Sequence, residues 1–265
     1  MGLFFADDSS YDESVRLTGF DRYRQLLSFN AGIYFKVNFL TILGALPLAA
    51  GITYSVLSSS VLLLIPFSVI GGMLFGPFYA AFYNTLYRTF RDAPGRWFDS
   101  WKKSFRRNLR DSLLPGAFLG LGTGLFIFTG FLFYWSEKAP GFPTLMWFIV
   151  SAWLFMIILS LFWPQLILFS QPLSVTVRNM ILFASKYLWK VLLVGALHIV
   201  VIIVYVLFAP WTIILVPILG FWYITFLTQL ILYEDLNREL QIEEKFQELM
   251  SPSSSLPDDT PPEYM

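Results

Sequence analysis

Four stretches of this chain contain no Asp, Glu, Lys or Arg: those between Lys36 and Arg88, Asp111 and Glu137, Lys138 and Arg178, and Lys190 and Glu234. A membrane-crossing helix needs roughly 20 consecutive apolar residues at 1.5 Å rise each. The first stretch is long enough for two such helices, at about 37–57 and 61–87, divided at Ser58-Ser59-Ser60. The second and third hold one each, at about 112–135 and 143–169. The last runs 43 residues and breaks at Ala209-Pro210, giving about 190–208 and 211–233. The predicted fold is therefore an all-α polytopic membrane protein with about six transmembrane helices and one or two interfacial helices. Composition agrees: 56% of residues are hydrophobic and 14% are charged, against about 25% charged in soluble domains.

Charge then sets the orientation. Residues 88–111 hold eight Lys or Arg against three Asp, and short basic loops stay on the cytoplasmic side. With both termini cytoplasmic, the outside loops are residues 58–60, 136–142 and the turn at Pro210, and among the 18 basic residues only Lys138 falls outside. This predicts a cytoplasmic N-terminal segment over 1–36, a transmembrane domain over 37–233 and an acidic cytoplasmic tail over 234–265. Residues 1–30 are polar and carry Asp7, Asp8, Asp12 and Glu13, so they do not read as a cleavable signal peptide.

Residues 1–30 begin as a polar tail and end in GFDRYRQLLSF, which predicts a short helix against the membrane. Inside the basic loop, Trp97, Trp101, Phe105 and Leu109 recur every four residues, hence along one helical face, while Lys102, Lys103, Arg106, Arg107 and Arg110 occupy the remainder. Such a helix can lay its aromatic side in the acyl boundary and its basic side on anionic headgroups, or pack on the protein's own cytoplasmic face. The spacing is compatible with both. Residues 170–187 predict a second cytoplasmic-side helix. From Glu234 onward there are nine acids against two bases. That predicts a solvated helix, with Leu236, Leu240, Phe246 and Leu249 as an apolar face, and a disordered Pro- and Ser-rich end over 251–265. Docking of the acidic tail on the basic loop is the alternative.

Gly116, Gly120 and Gly124 form a tandem small-residue repeat, and Gly72 and Gly76 a second. Such spacing lets helix backbones touch, within one chain or across a homo-oligomer. The polar residues Asn38, Asn84, Gln165, Gln171, His198, Thr225 and Gln229 are candidates to line a cavity for a neutral solute. His198, the single histidine, is expected to be neutral and bonded to a neighbouring helix, because charging it at depth costs a few kcal/mol. Pro47, Pro66, Pro77, Pro164 and Pro217 interrupt spans, as in transporters with broken helices and in many membrane helices without transport roles.

Catalysis is not expected. There is no cysteine, the four long stretches hold no Asp, Glu, Lys or Arg, and one histidine cannot assemble a triad or a metal site. No cofactor is implied. The aromatic and basic 96–110 segment sits between two spans, which favours lipid or protein partners over nucleic acid.

Several short motifs, in order, resemble the YesL-like family of bacterial integral membrane proteins. They are Met1-Gly2-Leu3-Phe4, Gly19-Phe20, Lys36-Val37-Asn38, Leu46-Pro47, Gly76-Pro77, Ala80-Ala81, Tyr87-Arg88, Phe90-Arg91, Trp97-Phe98-Asp99, Trp101-Lys102, Phe105 and Asn108. The resemblance covers about residues 1–120, with Pro47 and Pro77 set further apart than in many members, as in a longer variant. It implies a bacterial cytoplasmic-membrane protein auxiliary to a carbohydrate ABC importer. The expected function is a non-enzymatic accessory or scaffold, with a small transporter or channel for a neutral polar solute such as a sugar as the alternative.

Overall fold

The computed structural model describes residues 17, 19–169, 171–209 and 211–245. Expectations placed on residues 1–16 and 246–265, including Phe246 and Leu249, lie outside this set. Among the described residues the chain is all-helical. Helix α1 spans Gly19–Leu57, α2 Val61–Phe90, α3 Trp97–Arg107, α4 Leu113–Trp135, α5 Phe142–Leu168, α6 Leu173–Lys186, α7 Leu188–Leu207 and α8 Val216–Leu240, with a 3₁₀ turn at Trp211–Leu215 before α8. Six of these, α1, α2, α4, α5, α7 and α8, are long and apolar enough to cross a membrane. The six-span, all-α reading is correct.

Several boundaries differ from expectation. The segment GFDRYRQLLSF is the start of α1 itself, because the helix runs unbroken from Gly19 to Leu57, continuing through Pro47 although that residue donates no backbone hydrogen bond. At 39 residues α1 is about 58 Å long, well beyond the roughly 30 Å hydrocarbon core. The expected last span begins at Val216 rather than 211 and merges with the acidic segment through Leu240. Leu236 is buried there and Leu240 packs on the core. Pro47, Pro66, Pro77 and Pro164 all lie inside helices that continue through them. Among the described residues the interior residue with non-helical angles is Gly220 of α8.

The division of α1 from α2 is local chemistry. Ser59 takes a positive φ, and the Ser60 hydroxyl accepts from the Leu63 amide to cap α2. Helix α2 then becomes the hub, packing most extensively on α1 and α4 and also touching α3, α5 and α8. Its contact with α4 is backbone on backbone. A methyl built at Gly72 would lie 2.2 Å from the Gly116 carbonyl oxygen, at Gly120 2.2 Å from the Ser68 oxygen, and at Gly76 2.3 Å from the Ser112 oxygen. Gly124 completes the seam against the Ser68 side chain. Both glycine repeats thus serve packing within one chain, and the two helices run antiparallel.

Contacts between elements gather one end of the bundle. Arg22 of α1 pairs with Asp92 after α2 at 2.6 Å, Arg107 of α3 bonds the Ile167 carbonyl of α5 at 3.1 Å, and Lys186 of α6 pairs with Glu239 of α8 at 2.7 Å. Lys190 of α7 also pairs with the buried Asp235 of α8. The acidic segment therefore docks on α6 and α7 at these two pairs.

The seam makes a sharp prediction. Gly120→Ala must push the two backbones apart and should destabilise the detergent-solubilised protein by about 1–3 kcal/mol or more, seen as a lower thermal midpoint. Gly32→Ala, with nothing within 4 Å, should leave the midpoint unchanged or slightly raised. Equal behaviour of the two variants would show that the seam is not closely packed.

Candidate functional site

The polar residues expected to line a cavity are mostly occupied in holding helices together. Asn38 of α1 is completely buried and faces the break in α8. In an unbroken helix the Phe221 amide would donate to the Pro217 carbonyl four residues back. Here the Asn38 carboxamide is inserted into that rung. Its Nδ2 donates to the Pro217 carbonyl at 2.9 Å and the Val216 carbonyl at 3.2 Å, while the Phe221 amide donates to its Oδ1 at 2.9 Å. Gly220 lets the amide come this close, since a methyl there would lie 3.1 Å from Oδ1. In lipid every backbone group must find an internal partner, and Asn38 supplies one for the interrupted turn.

Gln229 of α8 has the same role deeper in the bundle. Tyr87 of α2 donates to its Oε1 at 2.8 Å, and its Nε2 donates to the Ser160 carbonyl of α5 at 3.0 Å, so one buried side chain joins three helices. Gln165 is buried as well, donating to Leu161 of its own helix at 3.3 Å, and its Oε1 faces Gln171 at 3.5 Å. His198 is bonded through Nδ1 to the Val194 carbonyl at 2.8 Å. That partner is one turn back on its own helix, where the expectation was a neighbouring helix; the i−4 carbonyl is the nearest acceptor to an imidazole on an apolar helix. Asn84 stands apart from these residues, at a cavity under α3.

Helix α3 resolves the two readings left open for the aromatic face. Trp97 and Trp101 are 4% and 8% exposed. Phe78 of α2 lies within 6.0 Å of Trp101 and 4.9 Å of Phe105, ring centre to ring centre, and the Lys36 ammonium of α1 sits 5.9 Å from the Trp97 ring. The aromatic side thus packs on the protein, because α2 presents aromatic rings where an acyl boundary was the alternative. Leu109 lies past the end of α3 and is exposed. Lys102, Lys103, Arg106 and Arg110 are exposed on the outer side. Arg107 does not belong to that outer edge: it turns inward to the Ile167 carbonyl, and its other terminal nitrogen, Nη1, is buried without a hydrogen-bond partner. Burial pulls the Arg107 guanidinium below its ordinary pKa. Arg91 is lowered as well, first by burial and then by its neighbours Arg88 and Arg107, with Tyr233 and Glu243 acting the other way.

Sequence reasoning does not find the Asn38 bridge, because no local signal says which helix a buried amide meets. The proximity of Pro217 and Gly220, three residues apart in one span, is the available hint that this helix lacks a rung. Asn38→Leu strands two carbonyls and an amide, and should cost about 1–3 kcal/mol while speeding hydrogen exchange at the Phe221 amide. His198→Leu, which removes only a bond within α7, should stay within about 0.5 kcal/mol of the parent.

No protein-family model, no curated protein and no solved structure matches the chain, so its function is argued from its own residues.

Proposed function

We propose that the chain is a multi-pass protein of a bacterial cytoplasmic membrane, with both termini cytoplasmic, that acts without catalysis as an accessory or scaffold for a partner membrane protein. One observation carries this reading. Asn38 and Gln229, the polar side chains best placed for a solute path, are buried and committed to bonds between helices. Residues free to meet something else lie on the exterior: the exposed basic edge at Lys102, Lys103 and Arg106 of α3 and Arg110 just beyond it, suited to anionic headgroups or an acidic partner surface. The resemblance to YesL-like proteins points to a carbohydrate ABC importer as the partner class.

A second reading, movement of a neutral polar solute, is favoured by the interrupted α8 at Gly220, since broken helices line transporter sites. Saturable thermal stabilisation by an oligosaccharide, lost in Asn38→Leu, would support it over the accessory role.

Mild extraction from the native membrane should recover stoichiometric partner subunits; recovery of the chain alone as a monomer would overturn the accessory role. The absence of natural cysteine permits a clean orientation test. Ser136→Cys should react with a membrane-impermeant maleimide on intact cells, and Asp111→Cys only after permeabilisation. The reverse pattern would overturn the orientation.

A further inference from the structure

Beyond α2 the chain doubles back. Asp92 and Gly95 take positive φ values of 52° and 99°, and this reversal sends α3 back across the ends of α2 and α5. The reversal is fastened on both sides. Arg88 donates to the carbonyls of Ala93 and Pro94, and Arg22 reaches from α1 to the Asp92 carboxylate at 2.6 Å and the Phe90 carbonyl at 3.0 Å. Between the returned loop, α3 and the last turn of α5 lies a cavity of about 320 Å³, within the range of small-molecule sites.

Five cationic side chains wall this cavity: Arg88, Arg91, Arg96, Lys103 and Arg107. Among the described residues its lining contains one carboxylate, Asp99, which is exposed and paired with Arg96 at 3.2 Å. Asp92, the next acid along the loop, is engaged by Arg22. Arg88, Arg91 and Arg107 are half-buried, Arg96 and Lys103 are exposed, and Glu243 acts on Arg91; like charges gathered in this way favour a further counter-charge. The Arg107 Nη1 donor, buried and without a hydrogen-bond partner, is the clearest sign of a missing acceptor, since buried donors are almost always satisfied. At the base of the cavity Asn84 adds an amide that can donate or accept.

We propose that this cavity is a binding site for a phosphate group. Guanidinium forks match phosphate oxygens two at a time, and Lys103 adds a point charge at the rim. An anionic phospholipid headgroup and a free phosphate share this chemistry. The site shares Lys103 with the exposed basic edge but excludes Lys102, Arg106 and Arg110, and it does not depend on the accessory role.

The test uses full-length protein in a neutral maltoside detergent. Thermal unfolding and calorimetric titration are followed with sodium phosphate and with short-chain phosphatidylglycerol, against sodium chloride at equal ionic strength. At least one probe should raise the midpoint saturably. Stabilisation by phosphate alone assigns a small anion, and stabilisation only by the lipid assigns a headgroup. Lys103→Gln should weaken binding about tenfold and Arg107→Gln by about tenfold or more. Lys102→Gln, on the same helix but outside the cavity, should leave it unchanged. Lys103 is exposed, so its variant folds and remains readable even where Arg107→Gln does not. The proposal is overturned if neither probe exceeds sodium chloride, or if Lys102→Gln weakens binding as much as Lys103→Gln, which would reduce the effect to general surface charge.

Discussion

Backbone contact between α2 and α4 governs how the remainder of the chain is arranged. At Gly72 and Gly76 against Gly116 and Gly120 the two helices meet without intervening side chains, and the Ser68 side chain closes on Gly124. The seam sets Gly76 opposite Ser112, just before α4, while α2 runs on to Phe90, and 22 residues then separate Phe90 from Leu113. That connection has to return along the last turns of α2. It does so as a reversed loop and a helix whose tryptophans are drawn inward by the aromatic rings of α2. The basic charges follow, some outward and some under the helix. The cations of α3 therefore lie beside the part of α2 that extends past the seam.

A second level of organisation comes from polar bridges. Asn38 repairs a lost rung of α8, Gln229 ties α8 to α2 and α5, and the Lys190–Asp235 and Lys186–Glu239 pairs fasten the end of α8 to α7 and α6. Without a hydrophobic drive between helices in lipid, packing and hydrogen bonds are what fix their mutual positions. Helix α8 receives most of these bonds, which suits an element with an interruption in its own ladder.

The spans are legible in the sequence because charge-free length is a one-dimensional property. The glycine seam is legible because its four-residue spacing encodes a face, although the choice between one chain and two requires the partner helix to be seen. The ends of α1 and α8 are not legible. Hydropathy reports apolar length, whereas a helix continues through Lys36 or Glu234 for as long as hydrogen bonds and neighbours support it. The aromatic face of α3 is equally ambiguous, since lipid and an aromatic protein surface attract Trp97 and Trp101 for the same reason. His198 suggests a bridge between helices, yet it satisfies itself on its own helix. The cavity beside Asn84 requires residues from three helices and the turn at Gly95 to be placed together.

The seam also gives the two halves of the bundle different openness. Where α2 and α4 touch there is room for neither a file of water nor an acyl chain, so this half is a sealed wall. Helices α5 and α7 meet instead through bulk, with Trp153 laid over Gly195 and its indole donating to the Leu192 carbonyl at 3.2 Å. That contact can loosen by a change of the Trp153 rotamer, an adjustment the backbone seam does not allow.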